Sequence, residues 1–185
     1  MKKLAKLLVL TAIGTAAVAA HAQTYGEIGY LSLNAKQDLT YNGTAYNFKA
    51  SPTALRGIFG YELNPNLAIE ALGAFGLGSG DVKFNGNRIA GAKMEIDNAM
   101  GVYLKPKTKL NDSMEIFGRV GFARSEGTFS GNGGSASASE NDVSYGFGMS
   151  YAINPSTSLN ADYMSYLNKD GFKATGITLG VGFKF

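Results

Sequence analysis

The side chains able to do chemistry in this sequence are carboxylates and guanidiniums. The chain has 185 residues, no Cys and a single histidine, His21. That supply offers no thiol nucleophile, and no set of partners for a Ser-His-Asp triad or a Cys/His zinc cluster. Glu62 and Glu70 are the pair that most resembles acid–base machinery. Glycosidase chemistry needs two carboxyls flanking a sugar in an open cleft. Here both carboxylates fall at alternate positions of residue runs whose other same-parity members are small, which points to a filled interior. The same parity holds for Glu27, Arg56, Glu62, Glu70, Glu95, Asp97, Glu115, Arg119, Asp162 and Lys184. Ten charges on one face of alternating segments predict ion pairing, since an Arg fork bridges several carboxylates at once. No enzymatic activity, cofactor or metal is expected.

Those residues need strands to position them, and the sequence after residue 22 supplies strands. Blocks of about ten residues with period-2 alternation recur between turn residues, and no helix-period segment stands out. The last block is the clearest. Thr175, Ile177, Leu179, Val181, Phe183 and Phe185 share one face, against Ala174, Gly176, Thr178, Gly180, Gly182 and Lys184. Comparable blocks surround Phe59, Ile69, Val102, Val120 and Phe147. Two further blocks carry parity conflicts. Ile28 and Tyr30 disagree with Leu31 and Leu33, and Leu159 and Tyr163 disagree with Met164 and Tyr166, so a bulge or early strand end is predicted in each. The total is eight strands, an even number that closes an antiparallel up-and-down barrel.

Met1 to Ala22 reads as a cleaved signal peptide. Lys2, Lys3 and Lys6 precede an apolar run, and Ala20-His21-Ala22 is an A-x-A site. Residues 23–185 then form the barrel domain. The formal charge is +3, from 17 basic and 14 acidic residues, and removing the three leader lysines leaves the mature chain neutral. A nucleic-acid partner loses its electrostatic basis.

Connections alternate in character. Asn64-Pro65-Asn66 and Asn154-Pro155-Ser156 are tight, and Lys105 to Asp112 is a somewhat longer turn. On the opposite side Ala35 to Pro52, Gly78 to Gly91, Glu126 to Asn141 and Leu167 to Gly171 are longer and polar, the asymmetry of membrane barrels with their long loops outside. Asn42-Gly43 and Asn85-Gly86 sit between β-prone residues and predict type I′ hairpin tips that project beyond the barrel. Gly127 to Ser139 is Gly/Ser-rich and predicts a mobile loop.

Two barrels fit this alternation. A soluble lipocalin-like periplasmic binder would turn its bulky residues inward; a transmembrane barrel turns them to lipid. The glycine-rich face decides for the second, because a narrow eight-stranded ring has a crowded interior that takes small residues beside a few charged ones. A charge on the lipid face would cost about 2–4 kcal/mol at mid-depth, and the bulky face carries almost none.

The chain resembles the small eight-stranded outer-membrane barrels related to the OmpA transmembrane domain and to OmpX. The resemblance rests on Gly60-Tyr61-Glu62-Leu63-Asn64-Pro65-Asn66-Leu67-Ala68-Ile69-Glu70, on the terminal Gly180-Val181-Gly182-Phe183-Lys184-Phe185, and on the leader. It implies a bacterial outer-membrane location after export through the periplasm. It also implies folding by the outer-membrane assembly machinery, which would read Ile177, Leu179, Val181, Phe183 and Phe185. The full-length OmpA pattern has a periplasmic domain after the last strand, and none is expected here.

By strand direction Glu27, Glu62, Glu70, Glu115 and Lys184 fall near the periplasmic end and Arg56 and Arg119 near the middle, with Lys184 and Glu27 able to pair across the closing strands. The leading expectation is a monomer with a charge-plugged lumen, whose projecting hairpins meet a host or cell surface through Tyr41, Tyr46, Phe48 and Phe84. A narrow low-conductance channel gated by the lumenal ion pairs is the alternative. Loop-side Lys36, Lys49, Lys83, Arg88, Arg124, Lys169 and Lys173 are placed to meet anionic lipopolysaccharide.

Overall fold

Period-2 patterning closed by turn residues produces, among the described residues, ten antiparallel strands in one continuous sheet. They are β1 (Thr24–Tyr41), β2 (Thr44–Ala50), β3 (Thr53–Asn64), β4 (Leu67–Gly78), β5 (Gly80–Phe84), β6 (Asn87–Lys109), β7 (Met114–Gly131), β8 (Gly134–Asn154), β9 (Thr157–Lys169) and β10 (Phe172–Lys184). The computed structural model describes residues 24–185; the proposed leader lies outside them. Around the ring the order is β1-β3-β4-β6-β7-β8-β9-β10, and β10 pairs back onto β1 from Tyr25↔Lys184 to Gln37↔Phe172.

The ring therefore has eight staves, two of them interrupted. β2 continues β3 upward and β5 continues β4, so that β2 pairs with β1 and β5, and β5 with β6. Pro52 breaks the first stave because it brings no N–H to the ladder; its carbonyl accepts from Leu33 N at 3.0 Å. The second breaks at Ser79 beside Gly80, where a Cβ would lie 2.5 Å from the backbone N of Ser51. The two kinks face each other, and only glycine permits that approach.

Turn chemistry separates the two ends. At the hairpin end, Asn42-Gly43 has φ of 49° and 76°, and Asn85-Gly86 has 46° and 88°, as two-residue type I′ turns require. Asp170-Gly171 repeats this geometry with φ of 51° and 79°. At the short-turn end Asn side chains close the turns. Asn64 Oδ1 accepts from Asn66 N at 2.9 Å, Asn154 Oδ1 from Ser156 N at 3.0 Å, and Asn111 Oδ1 from Met114 N at 2.8 Å.

Three expectations change, and the irregularity expected in β9 is present. β1 runs without a bulge against both neighbours; Leu31 and Leu33 are buried and face the lumen, and that resolves the parity conflict. In β9 the Met164 and Tyr166 side chains also point inward, and the register shifts where Tyr166 is skipped between Ser165 and Leu167. Lys105 to Asp112 is not one turn, since β6 carries on to Lys109. Gly127 to Ser139 is no loose loop. β7 and β8 stay paired through Gly127↔Ala138 to Gly131↔Gly134, because every non-proline residue brings a backbone N–H and C=O to the ladder whatever its side chain.

The outer face is apolar. Phe122 and Phe147 are each 68% exposed and Leu179 63%, with Tyr30, Phe59, Val102 and Ile177 in the same belt. Glycines crowd the opposite face where large side chains converge. A Cβ on Gly146 would lie 2.2 Å from the carbonyl oxygen of Tyr163 and 2.5 Å from Met164 Sδ. Gly146→Ala is accordingly expected to lose about 1–3 kcal/mol. Gel electrophoresis of unboiled samples after graded heating checks this: the variant should convert from the fast folded band to the slow unfolded band at a lower temperature than the parent protein.

Candidate functional site in the barrel lumen

β1, β3, β4, β6, β7 and β9 each send ionisable side chains to one level of the interior. Arg119 on β7 sits at its centre, 1% exposed. Its Nε donates to Glu70 Oε2 at 2.6 Å, its Nη1 to Asp162 Oδ2 at 2.6 Å and its Nη2 to Glu27 Oε2 at 3.0 Å. Arg56 on β3 is equally buried. It donates to Asp162 Oδ1 at 2.8 Å, to Glu27 Oε1 at 2.5 Å and to the Tyr166 hydroxyl at 3.2 Å. Two guanidiniums thus lace three carboxylates from three different strands.

Two more groups complete this layer. Lys105 Nζ lies 3.2 Å from Glu70 Oε1 and stands 4.3 Å from the Phe117 ring centroid and 4.8 Å from that of Tyr25. The Tyr25 hydroxyl donates to Glu70 Oε1 at 2.5 Å, and Asn160 Nδ2 to Glu27 Oε2 at 3.1 Å. Three cations face three carboxylates, so the layer is neutral. Burying charge is expensive unless each ion is paired, and here each has a counter-ion within 3.2 Å, with the Arg56 Nε left as the one guanidinium nitrogen without a hydrogen-bond partner.

A second, wetter layer lies below. Lys107 Nζ sits 2.6 Å from Glu62 and 3.5 Å from Glu115, whose side chains keep about a fifth of their exposure. At the hairpin end, pairing acts on exposed groups. The hydrogen bond to Glu140 raises the Lys169 ammonium above its ordinary value, and the Asn98 amide, then Arg124, lowers the Glu126 carboxyl.

The sequence-derived set divides accordingly. Glu27, Arg56, Glu70, Arg119 and Asp162 meet in the central layer, and Glu62 and Glu115 in the lower one. Glu95 is exposed on the outside, not lumenal as expected. The register of β6 against β7 shifts between Ile96 and Asn98, which reverses parity above that point. Asp97, at the shift, is only half-buried and accepts from Thr128 Oγ1 at 2.7 Å. Lys184 is exposed at the lower rim and is not within ion-pair distance of Glu27, whose carboxylate is taken by the two arginines.

Lys105 and Lys107 were missed because Pro106 between them reads as turn punctuation. Their parity with Gly101 and Tyr103 is the signal that finds them. Pro106 is accommodated opposite Leu67, on the last rung that β6 shares with β4.

Asn42, Gly43, Asn85 and Gly86 form the tips of ordered hairpins. Of the aromatics assigned to those hairpins, only Tyr41 is well exposed, at 69%. Tyr46, Phe48 and Phe84 stack on each other, with centroids 5.8 Å apart for Tyr46–Phe84 and 5.0 Å for Phe48–Phe84. Ile177, Leu179, Phe183 and Phe185 lie exposed on the outer belt of the closing strand.

A closed ring with an apolar outer belt and ion pairs inside is a transmembrane β-barrel of the bacterial outer membrane. The chain belongs to the outer membrane protein beta-barrel domain family, whose profile matches residues 8–185. It is 24% identical over 179 residues to the attachment invasion locus protein of Yersinia enterocolitica, covering 97% of this chain and 95% of that one. Neisserial surface protein A shares the fold with a TM-score of 0.66 at 15% identity, over 88% of this chain and 97% of that one. Ail of Yersinia pestis, solved in complex with the heparin analogue sucrose octasulfate, gives 0.61 at 20% identity, over 88% and 98%.

Removing Arg119 would leave three buried carboxylates short of a cation. Arg119→Ala is expected to cost about 3–5 kcal/mol of folding free energy, measured by urea unfolding in lipid vesicles. Arg88→Ala, which breaks an exposed pair with Asp81 at 2.9 Å, should cost under about 1 kcal/mol. Equal losses from the two substitutions would contradict the central role of the layer.

Proposed function

We propose that this barrel is an adhesion-type surface protein that engages polyanionic glycans through a basic arc on its projecting wall. The observation that carries this reading is one row of the upper sheet. Lys173 on β10 is directly opposite Lys36 on β1, Lys36 opposite Lys49 on β2, Lys49 opposite Lys83 on β5, and Lys83 opposite Arg88 on β6. Five adjacent strands thus carry a cation at one level. Ala35, Ala50 and Val82, the inward neighbours of Lys36, Lys49 and Lys83, are buried, so the arc faces out.

Like charges directly opposite each other in a sheet are destabilising. Asp81 beside Arg88 offsets one of the five. A row that self-repels in isolation gains most from a ligand with closely spaced anionic groups, whose binding is charge-assisted and salt-sensitive. The heparin analogue held by the Yersinia pestis relative makes sulfated polysaccharide the ligand class of choice. The inward stacking of Tyr46, Phe48 and Phe84 moves the weight of recognition from aromatic residues to this arc.

Binding of heparin to the barrel in nanodiscs of neutral phospholipid tests the proposal. Salt-sensitive binding is expected, weakened at least about tenfold in Lys36→Gln/Lys49→Gln/Lys83→Gln. Unchanged binding by the triple variant would overturn it. So would binding of lipopolysaccharide but not of heparin, which would make the arc a lipid anchor.

The gated-channel alternative would need the central layer to part. Its dense ion pairing and the apolar residues above it favour a plug. The unmodified barrel is therefore expected to produce no conducting steps in a planar bilayer; regular steps that change in Arg119→Ala would favour the channel.

A further inference from the structure

The lumen changes character above the arginines. Leu31, Leu33, Ala54, Leu72 and Ala74 are all buried there in one apolar cluster, with Ile96, Ala99 and Ala174 packed against it. These side chains do not fill the space. They line a cavity of about 390 Å³ that rises between the staves to Ala136, Ala138, Lys169 and Asp170 of the hairpins. Tyr166, whose hydroxyl accepts from Arg56 at 3.2 Å, lines the lower end of the cavity and joins it to the buried charged layer beneath.

Three properties decide what such a cavity holds. Its deep walls are hydrocarbon, and a water needs two to four polar partners to settle, so an apolar cavity is a poor host for solvent. Its volume falls in the range of small-molecule sites, roughly 300–1,000 Å³. Its walls are closed by paired strands on every side, so the hairpin mouth is the way in, and a folded partner's surface does not fit through a ring this narrow. What fits is a flexible hydrocarbon chain entering end-on. The mouth, in contrast, is polar. Lys169 Nζ lies 3.0 Å from Glu140, and Gln37 Nε2 donates to the Asp170 carbonyl at 3.2 Å, all in exposed positions.

We infer that the extracellular half of the lumen is a binding site for a single-chain amphiphile, with the tail against Leu31, Leu33 and Leu72 and the polar head at the Lys169–Glu140 mouth. The sealed floor makes this a holding site, since nothing continues through to the periplasm. The site is independent of the basic arc, which lies on the opposite face of the same hairpins.

Photolabelling of the nanodisc-held barrel with dodecanol that carries a diazirine at its chain end tests this. Mass spectrometry of the digested protein then reads which residues are labelled. Labelling of Leu31, Leu33 and Leu72 is expected, and excess plain dodecanol should suppress it. Leu179 on the lipid-facing belt should be labelled from the bilayer without saturating. In Ala74→Phe, which fills the cavity, the inward labels should fall by about tenfold while the Leu179 label stays. Ala138→Trp narrows the mouth at an exposed hairpin position and should have the same effect should Ala74→Phe fail to give the folded band. Absence of inward labelling in the parent protein would overturn the assignment. So would inward labelling that a folded blocking variant or competitor leaves unchanged.

Discussion

At its middle an eight-stranded ring has room for side chains but little for solvent, and the need to make that level both solid and electrically neutral governs the rest of this structure. The solution is the layer in which Arg56 and Arg119 bridge Glu27, Glu70 and Asp162, with Lys105 closing the balance. It ties β1, β3, β4, β6, β7 and β9 together across the lumen. The two remaining staves, β8 and β10, contribute mainly space. Gly146, Gly148, Gly180 and Gly182 sit where any Cβ would collide with a neighbour at under 3 Å. Polar groups placed this way do not compete with lipid, and they reward one register over all others, since a one-residue slip would send each charge to the outside. A slipped strand would carry both the lipid-face penalty and an unpaired partner left behind.

That same rule shows why much of the fold was legible in the residues. Alternation between bulky apolar and small or charged side chains, repeated eight times, is hard to satisfy with any other architecture, and Asn-Gly tips announce their own turns. Legibility failed where local patterning conflicted with the closed ring. Pro106 looked like the end of β6, yet a proline is tolerated on the final rung, so the two lysines beside it were read as turn residues. The register shift near Asp97 is invisible in composition, and it moved Glu95 from lumen to surface. Leu31 and Leu33 break parity only for a lumen of one polarity throughout. The lumen is in fact charged below and apolar above, and both leucines obey strict alternation within it. Gly127 to Ser139 looked flexible by composition, but β7 and β8 each gave the other a template and the small residues simply continue the ladder.

The division of the interior also assigns labour along the barrel axis. Stability is concentrated in the central layer, where each ion has several partners and little water competes. Higher up, the hairpins rise past the apolar belt and no longer need to be sealed against lipid, so the wall is free to carry unfavourable features. A row of five cations on neighbouring strands is one such feature, and an underfilled apolar cavity is another. Neither helps an isolated barrel fold. Features that cost stability and persist in an otherwise consistent structure are where function is expected.

The placement of these two features follows from the strand period. In a closed sheet adjacent residues face opposite sides, so a single stretch such as Lys49-Ala50 serves both at once. Lys49 belongs to the outer arc, and Ala50 packs in the small inner cluster with Val82 and Ala92. The kinks at Pro52 and Ser79 lie directly beneath and separate this upper wall from the membrane-embedded staves without opening the ring. A ligand on the arc would press on the two short strands, β2 and β5, from outside, whereas the cavity is walled by β1, β3, β4 and β6 to β10. These strands are joined to each other through few rungs: the β2–β5 pairing consists of Phe48↔Phe84 and Lys49↔Lys83 alone. The Tyr46–Phe48–Phe84 stack is what reinforces that weak seam from within. Where a wall is thin in hydrogen bonds, side-chain packing sets its stiffness, and the aromatic stack behind it bears directly on the spacing of the cations in front.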